Sequence, residues 1–255
     1  MSRLYNRPMK TILITGASRG IGAATAIEAA KRGYDVCINF KENLSAAEKV
    51  AGKVKELGRK VIIVQADISK EKDVKRLFKR CIQDLGQLSA LVNNAGITAL
   101  MSRLEDMPAD RIKKVFEVNT LGSFFCAKEA ISYMSIRHGG IGGAIVNISS
   151  VAAKYGSAEV YIDYAASKAA IDTMTIGLAK ELAKDKIRVN AVRSGFVNTD
   201  IHRTSGDPNR VEKVKHSIPM NRAAEAQEIA NSILWLLSEE ASYVTGALLD
   251  VSGGL

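Results

Sequence analysis

The chain is poor in the residues that build covalent or metal frameworks. Its 255 residues include only three cysteines, Cys37, Cys81 and Cys126, scattered through apolar or helical contexts. They read as small core hydrophobes in a reducing compartment, which argues against a disulfide frame or a metal knot. The three histidines, His138, His202 and His216, show no ligand spacing, so no metal site is expected. No apolar run approaches the roughly 18 residues of a spanning helix. The basic segment Met1 to Lys10 is followed by Ile12-Leu13-Ile14, too short a run for a signal peptide. A cytoplasmic protein is expected, with Met9 as an alternative start and residues 1–8 as a disordered extension. No Pro-, Gly- or Ser-rich linker divides the chain, and no internal repeat is visible. A single domain spanning 1–255 is expected, long enough to bury a large core.

What is present is an alternation of strand and helix patterns with a formal charge of +9. Much of the positive charge is interleaved with Glu and Asp in helical stretches such as 53–60 and 70–80, which suits solvated helix faces. No nucleic-acid module or aromatic-basic interleaving accompanies it, so no nucleic-acid partner is expected. An acidic, phosphate-bearing ligand suits the same balance.

The first strand, Lys10 to Thr15, runs straight into Gly16-Ala17-Ser18-Arg19-Gly20-Ile21-Gly22 and then a helix from Ala23 to Arg32. A glycine-rich strand-to-helix turn lets the backbone approach a pyrophosphate and aims helix N–H groups at it. The spacing is Gly-x-x-x-Gly-x-Gly, distinct from the commoner Gly-x-Gly-x-x-Gly. The second strand, Asp35 to Phe40, ends at Asn39-Phe40-Lys41. A basic residue near this position accommodates the 2′-phosphate of NADP, whereas an acidic one binds the 2′-hydroxyl of NAD. Arg19 and Lys41 are therefore candidates to clamp that phosphate; NADP is expected, with NAD possible. After a helix from Leu44 to Leu57 and a strand from Val61 to Gln65, Asp67 either accepts from an adenine amino group or caps the next helix, Lys72 to Leu85. Strand Ser89 to Val92 meets Asn93-Asn94-Ala95-Gly96, small and amide residues that suit close cofactor approach. One long helix is expected from Ala109 to Arg137. Asn119 lies inside it against its propensity, so it either faces solvent or has a specific polar partner.

The chemistry-bearing stretch is Gly143 to Lys184. Ala144-Ile145-Val146-Asn147-Ile148 reads as a buried parallel strand ending at Ser149-Ser150, and a helix follows from Tyr161 to Ala183. Tyr164 and Lys168, four apart, share one helix face. A phenol titrates at about 10 in a peptide; an ammonium held close favours the phenolate and turns Tyr164 into a general acid/base. Tyr-x-x-x-Lys also occurs by chance in many helices, so the spacing alone does not decide. A strand from Ile187 to Val192 precedes Gly195, Val197 and Thr199. The polar segment 200–219 reads as a substrate lid. A last helix from Ala224 to Leu237 and a strand from Ala247 to Val251 complete the chain.

Together these pieces resemble the classical short-chain dehydrogenases/reductases over Lys10 to Leu255. The motifs are Thr15-Gly16-Ala17-Ser18-Arg19-Gly20-Ile21-Gly22, Asp67, Asn93-Asn94-Ala95-Gly96, Asn119, Ser150, Tyr164-Ala165-Ala166-Ser167-Lys168 and Tyr243-Val244-Thr245-Gly246. Each motif is weak or moderate alone, and their joint order is highly specific. The resemblance implies an α/β Rossmann fold with a seven-stranded parallel sheet, order 3-2-1-4-5-6-7, and helices on both faces. It implies hydride transfer between nicotinamide C4 and a carbonyl or secondary alcohol. Tyr164 would be the acid/base and Lys168 would lower its pKa. Ser150 would polarise the carbonyl, with Ser149 as the alternative hydroxyl, and Asn119 would hold a water. Cofactor contacts would come from Gly16, Ser18, Arg19, Gly20, Ile21, Gly22, Asn39, Phe40, Lys41, Asp67, Ile68, Asn94, Ala95, Gly96, Tyr164, Lys168, Gly195, Val197 and Thr199. Val197 and Thr199 would anchor the carboxamide. Ser194 stands where the family usually has proline, which frees φ and restores an N–H and implies a less rigid start to the lid. The segment 161–168 with Ile218-Pro219-Met220 is similar to glucose 1-dehydrogenase-like and 3-oxoacyl-carrier-protein reductase-like enzymes, and a homotetramer is implied.

Two other classes compete with the enzyme. A regulatory or sensor protein on the same fold would bind NADP(H) without turnover, and a Gly-loop methyltransferase would leave Tyr164 with Lys168 unexplained. Substrate and physiological direction are not written in the sequence, because fold does not choose among substrates.

Overall fold

The computed structural model describes residues 10–199, 207 and 209–255, apart from the side chain of Val211. The expected extension at 1–8, and positions 200–206 and 208 of the expected lid, lie outside the described residues. Seven strands form one parallel sheet: β1 (Lys10–Ile14), β2 (Tyr34–Phe40), β3 (Val61–Gln65), β4 (Leu88–Asn93), β5 (Gly143–Ser150), β6 (Ile187–Ser194) and β7 (Leu248–Val251). Their spatial order is β3-β2-β1-β4-β5-β6-β7, as the family resemblance implied.

The strands are apolar without alternation because both faces are covered, the usual condition of a parallel sheet. In β1, Ile12 and Ile14 enter the core on one face and Leu13 enters the core on the other. Helices α1 (Gly20–Lys31), α2 (Leu44–Glu56) and α9 (Ala226–Leu237) contribute to the first core. Helices α3 (Glu71–Leu85), α5 (Gly122–Met134) and α7 (Ile162–Leu182) contribute to the second. Among the described residues, the remaining α-helices are α4 (Ala109–Phe116) and the short α6 (Ala152–Tyr155) and α8 (Arg210–Val214). Cys37, Cys81 and Cys126 are free and buried. Burial holds the thiols of Cys37 and Cys126 well above their ordinary values, the behaviour of packing residues. Among the described residues, no helix is long and apolar enough to cross a membrane.

Two expectations about helices need correction. Helix α1 begins at Gly20 rather than Ala23, so the last two loop glycines already belong to its first turn. The long helix expected from Ala109 to Arg137 is interrupted by a wide π turn, Glu117–Leu121, and ends at Met134, where Ser135 turns to extended backbone. Such bulges mark functional sites, and here the bulge carries Asn119.

The chain runs outward from β1 to β2 and β3, then returns to place β4 on the other side of β1. In open α/β sheets, the crevice at the carboxyl ends of the strands beside such a reversal is where ligands bind.

Candidate active site

The loop between β1 and α1 is fixed from below by side chains rather than by the ligand it faces. The Asn94 amide donates to the carbonyls of Thr15 and Gly16 at 2.8 and 3.0 Å. The Thr15 hydroxyl accepts from the N–H groups of Asn94 and Ala95, both at 3.0 Å. Gly16 N–H donates to the Asn39 side chain at 3.1 Å, and Ala17 N–H donates to the Asn39 carbonyl at 2.8 Å. Gly16 has a φ of +61°, and a Cβ there would lie 2.9 Å from Ala95 Cα, so no other residue fits without moving the backbone. A Cβ at Gly22 would meet the Asn94 amide nitrogen at 2.5 Å.

Above this brace, the N-terminus of α1 is open. Arg19, the N-cap, is extended and makes no side-chain cap, and the first turn carries no acidic residue. Unpaired N–H groups with the positive end of the helix dipole suit a phosphate-bearing group. Thr199 faces this turn, its Cγ2 3.3 Å from where a Cβ on Gly20 would stand. Gly96 sits against the other end of the groove, where a Cβ would come within 3.4 Å of both Asn119 Oδ1 and Lys168 Nζ. A bare backbone from Gly16 to Gly96, open N–H groups and flanking cations fit a dinucleotide.

Several residues expected along the cofactor are placed differently. Asn39 and Phe40 are buried, and the Asn39 amide donates to the carbonyls of Ala66 and Val64. Their side chains brace the loop and fill the core, because β2 is covered on both faces. The Asn94 amide is likewise engaged inside the loop. Ile68 is buried against α5, where Gly122 leaves it room. Asp67 and Lys41 hold each other, Nζ to Oδ2 at 3.1 Å. The other Asp67 oxygen accepts from Ser69 N–H and its hydroxyl. Burial opposes that charge, but these partners prevail and hold the carboxyl below its usual range.

At the carboxyl end of β5 the second half of the site comes together. Lys168, buried, donates from Nζ to the carbonyl of Ile148 at 2.7 Å. The same Nζ lies 5.7 Å from the Tyr164 ring centroid. Burial pulls the Lys168 ammonium down to about 8, with Asp172 acting in the opposite direction. The Tyr164 phenol moves the other way: burial pushes it up, and the hydrogen bond with Ser150 pulls it only partly back. Burial thus sets the direction for both groups, raising the phenol and lowering the ammonium. Ser150 is the hydroxyl beside the phenol. Ser149 is fully buried, and its hydroxyl donates to the Lys168 carbonyl at 3.3 Å.

Asn119 has no exposure and reads as a lock. Its Oδ1 accepts from Ile97 N–H at 2.8 Å, and its Nδ2 donates to the Ile97 carbonyl at 2.9 Å and to the Ser167 hydroxyl at 3.1 Å. This ties the β4 loop to α7, which explains an asparagine within a helix. Ser194 belongs to β6 and pairs with Ser150, and its carbonyl accepts from Val151 N–H at 3.1 Å. Ser194 thus ends β6 with its carbonyl paired. Gly195 packs on Ser252, its N–H donating to Val251, and Val197 is buried and bridges to Ala224. Sequence reasoning missed Thr15, Ser167, Arg111, Asp163, Asp172 and Arg193. Thr15, Asp163 and Ser167 lay inside quoted segments, but the charged pairs close across distances of 21 and 52 residues.

A family model described as enoyl-(acyl carrier protein) reductase matches residues 16–255. The uncharacterised oxidoreductase YgfF of Escherichia coli is 49% identical over 96% of this chain and 100% of its own. The chain belongs to the short-chain dehydrogenases/reductases. Within that family it is also similar to glucose 1-dehydrogenase 2 of Bacillus subtilis, 35% identical over 96% of this chain and 94% of the relative. Among solved structures, 3-ketoacyl-(acyl-carrier-protein) reductase from Brucella melitensis, complexed with NADH, superposes with a TM-score of 0.89. It is 32% identical and covers 96% of this chain and 97% of its own. As a short-chain dehydrogenase/reductase the protein is an NAD(P)-dependent oxidoreductase of CH–OH and C=O groups.

Proposed function

We infer that the protein is an NADP-dependent reductase or dehydrogenase of a small carbonyl or secondary alcohol, with Tyr164 as the proton donor and acceptor. The observation that carries this reading is the meeting of Tyr164, Ser150 and Lys168 at the end of β5, facing the groove that starts at the open N-terminus of α1. When bound, the nicotinamide supplies or accepts hydride at C4. In reduction, Tyr164 gives its hydroxyl proton to the carbonyl oxygen as hydride reaches the carbon, so the product is the alcohol. In oxidation it takes the proton back. Ser150 donates a hydrogen bond to the same oxygen. The Lys168 ammonium, anchored on Ile148, favours the phenolate each time it forms and also serves the nicotinamide ribose. Asn119 keeps the β4 loop and α7 in register and supports the water path from Lys168. Gly195, Val197 and Thr199 border the carboxamide end of the groove, within a single domain.

The cofactor preference rests on Arg19 and Lys41. Arg19 is exposed at the tip of the glycine loop, and Lys41, half-exposed, ends β2 with its ammonium on Asp67. The first residue after β2 is Lys41, and the nearest carboxylate in sequence, Glu42, follows it. Turnover at 340 nm across sugars, acyl thioesters, diketones and steroids tests the reading. NADP(H) should be preferred, and Lys41→Ala should cut kcat/KM for NADPH by about tenfold, the equivalent of about 1.4 kcal/mol, while leaving NADH nearly unaffected. A clear NAD(H) preference in the parent protein removes the assignment.

The π turn and helices α5, α7 and α9 also present Leu121, Phe124, Ile176 and Trp235 to the surface. These are the faces that suit a homotetramer. Light scattering at micromolar concentration should give four chain masses; a monomer would contradict it.

A further inference from the structure

Helix α7 buries a carboxylate, Asp172, one turn beyond Lys168. A separation of four residues places the two side chains on one helix face. One oxygen of Asp172 accepts from Arg193 Nε at 2.9 Å. The other is buried and has no hydrogen-bond partner. A buried carboxylate oxygen without a donor is costly unless a charge nearby compensates it. Lys168 is the matching case on the other side: a buried ammonium whose one hydrogen bond goes to a neutral carbonyl. The charges continue outward. Arg193 reaches Asp250 on β7 at 3.6 Å, and Asp250 accepts from Lys154 on α6 at 2.8 Å.

We propose that Asp172 is a positioning residue for the amine of the site: it is the counter-charge that keeps Lys168 an ammonium, and Arg193 sets how much of that charge Lys168 feels. The groups around Lys168 are few. Tyr164 lies on its own helix, the Ile148 carbonyl comes from β5, and the Asn119 amide comes from the π turn. Around Asp172 stand Arg193 from β6 and, beyond it, Asp250 and Lys154. The remaining buried pair on this helix, Asp163 with Arg111, lies at its start and is closed on itself. Asp172 opposes the effect of burial on the ammonium.

The inference rests on the reading of the site given above, so its test reads Lys168 directly and without turnover. The Cε resonances of ¹³C-labelled lysines are followed against pH in the cofactor-free full chain. Ordinary lysines titrate near 10.4, so Lys168 stands apart, and Lys168→Met assigns it by loss of the signal. Asp172→Asn keeps the shape and an acceptor for Arg193 but removes the charge, and the Lys168 midpoint should fall by roughly one pH unit. Asp172→Glu should bring it back. Arg193→Gln should move it the opposite way, upward, because a competing cation is gone. A merely structural ion pair would lower the melting temperature in these variants and leave the midpoint still; that result overturns the proposal, as does movement of both in one direction. If Asp172→Asn does not fold, Arg193→Gln decides alone, an upward shift supporting the proposal and no shift or a downward one refuting it. Full turnover in Tyr164→Phe would refute the catalytic reading while leaving these midpoints unaffected, so the two failures are distinguishable.

Discussion

Tyr164→Phe should lower turnover by about 10²–10⁴-fold, with substrate and cofactor binding little changed. The replacement keeps the ring, and with it the packing beside Lys168, whose Nζ lies 5.7 Å from the ring centroid. It removes only the hydroxyl, and with it the hydrogen bond to Ser150. What is lost is therefore a proton at the reacting oxygen, an interaction made in the transition state rather than on binding, so kcat and kcat/KM should fall together. The direction of the pH dependence follows from the two groups. Burial keeps the phenol above its ordinary value, so the proton needed for reduction is present throughout the neutral range. The ammonium that supports the phenolate is half lost at about 8. Reduction should be flat through neutrality and decline above that point. Oxidation, which needs the phenolate, should gain as pH rises through neutrality. Rates at 340 nm in both directions, from pH 6 to 10 (a range that brackets the ordinary lysine and tyrosine values), check this. Undiminished turnover in the phenylalanine variant would remove Tyr164 from the chemistry.

The sheet was legible because each strand is a compact apolar run with turn residues after it, and burial along β1, β2, β4, β5 and β6 makes those runs continuous. Strand order came from the family motifs, since periodicity says nothing about neighbours. Helix α7 shows where hydrophobic patterning stops being informative. It buries Asp163, Ser167, Lys168, Asp172 and Thr175, so its core face is polar and its period is blurred. Tyr164 and Lys168 were found through their spacing, but the burial that raises the phenol and lowers the ammonium depends on packing that spacing does not show. Asn119 posed the right question as a poor helix former inside a helix. Its answer lay with Ile97 and Ser167, 22 and 48 residues away. Asn39, Phe40 and Asn94 show a related limit. They lie in cofactor motifs but shape the loop from beneath, and sequence position does not separate a residue that touches a ligand from one that holds the residue that does.

Arg111→Ala should cost about 3–5 kcal/mol of stability, the range for breaking a buried ion pair by removing one partner. Arg111 reaches from α4 to the start of α7, with Nε and Nη2 on the two oxygens of Asp163 at 2.9 and 3.2 Å. Its third nitrogen donates to the Leu100 carbonyl, so one guanidinium joins α4, the loop after β4 and α7. Asp163 is 1% exposed at its side chain and also accepts from Tyr164 N–H at 2.9 Å. Without Arg111 that carboxylate is left in the interior with a single neutral donor. The melting temperature should drop by about 6–20 °C, taking about 2–4 °C per kcal/mol for a chain of this size. Arg111→Lys should recover only part of the loss, because an ammonium cannot match the two oxygens and the carbonyl in one plane. Pairing Arg111→Met with Asp163→Asn should cost less than either charge removal alone, since both buried charges then disappear together. Calorimetry of the four proteins reads the coupling. A melting temperature unchanged in Arg111→Ala would mean that the pair adds nothing to the fold, and that Tyr164 is held by the helix backbone alone.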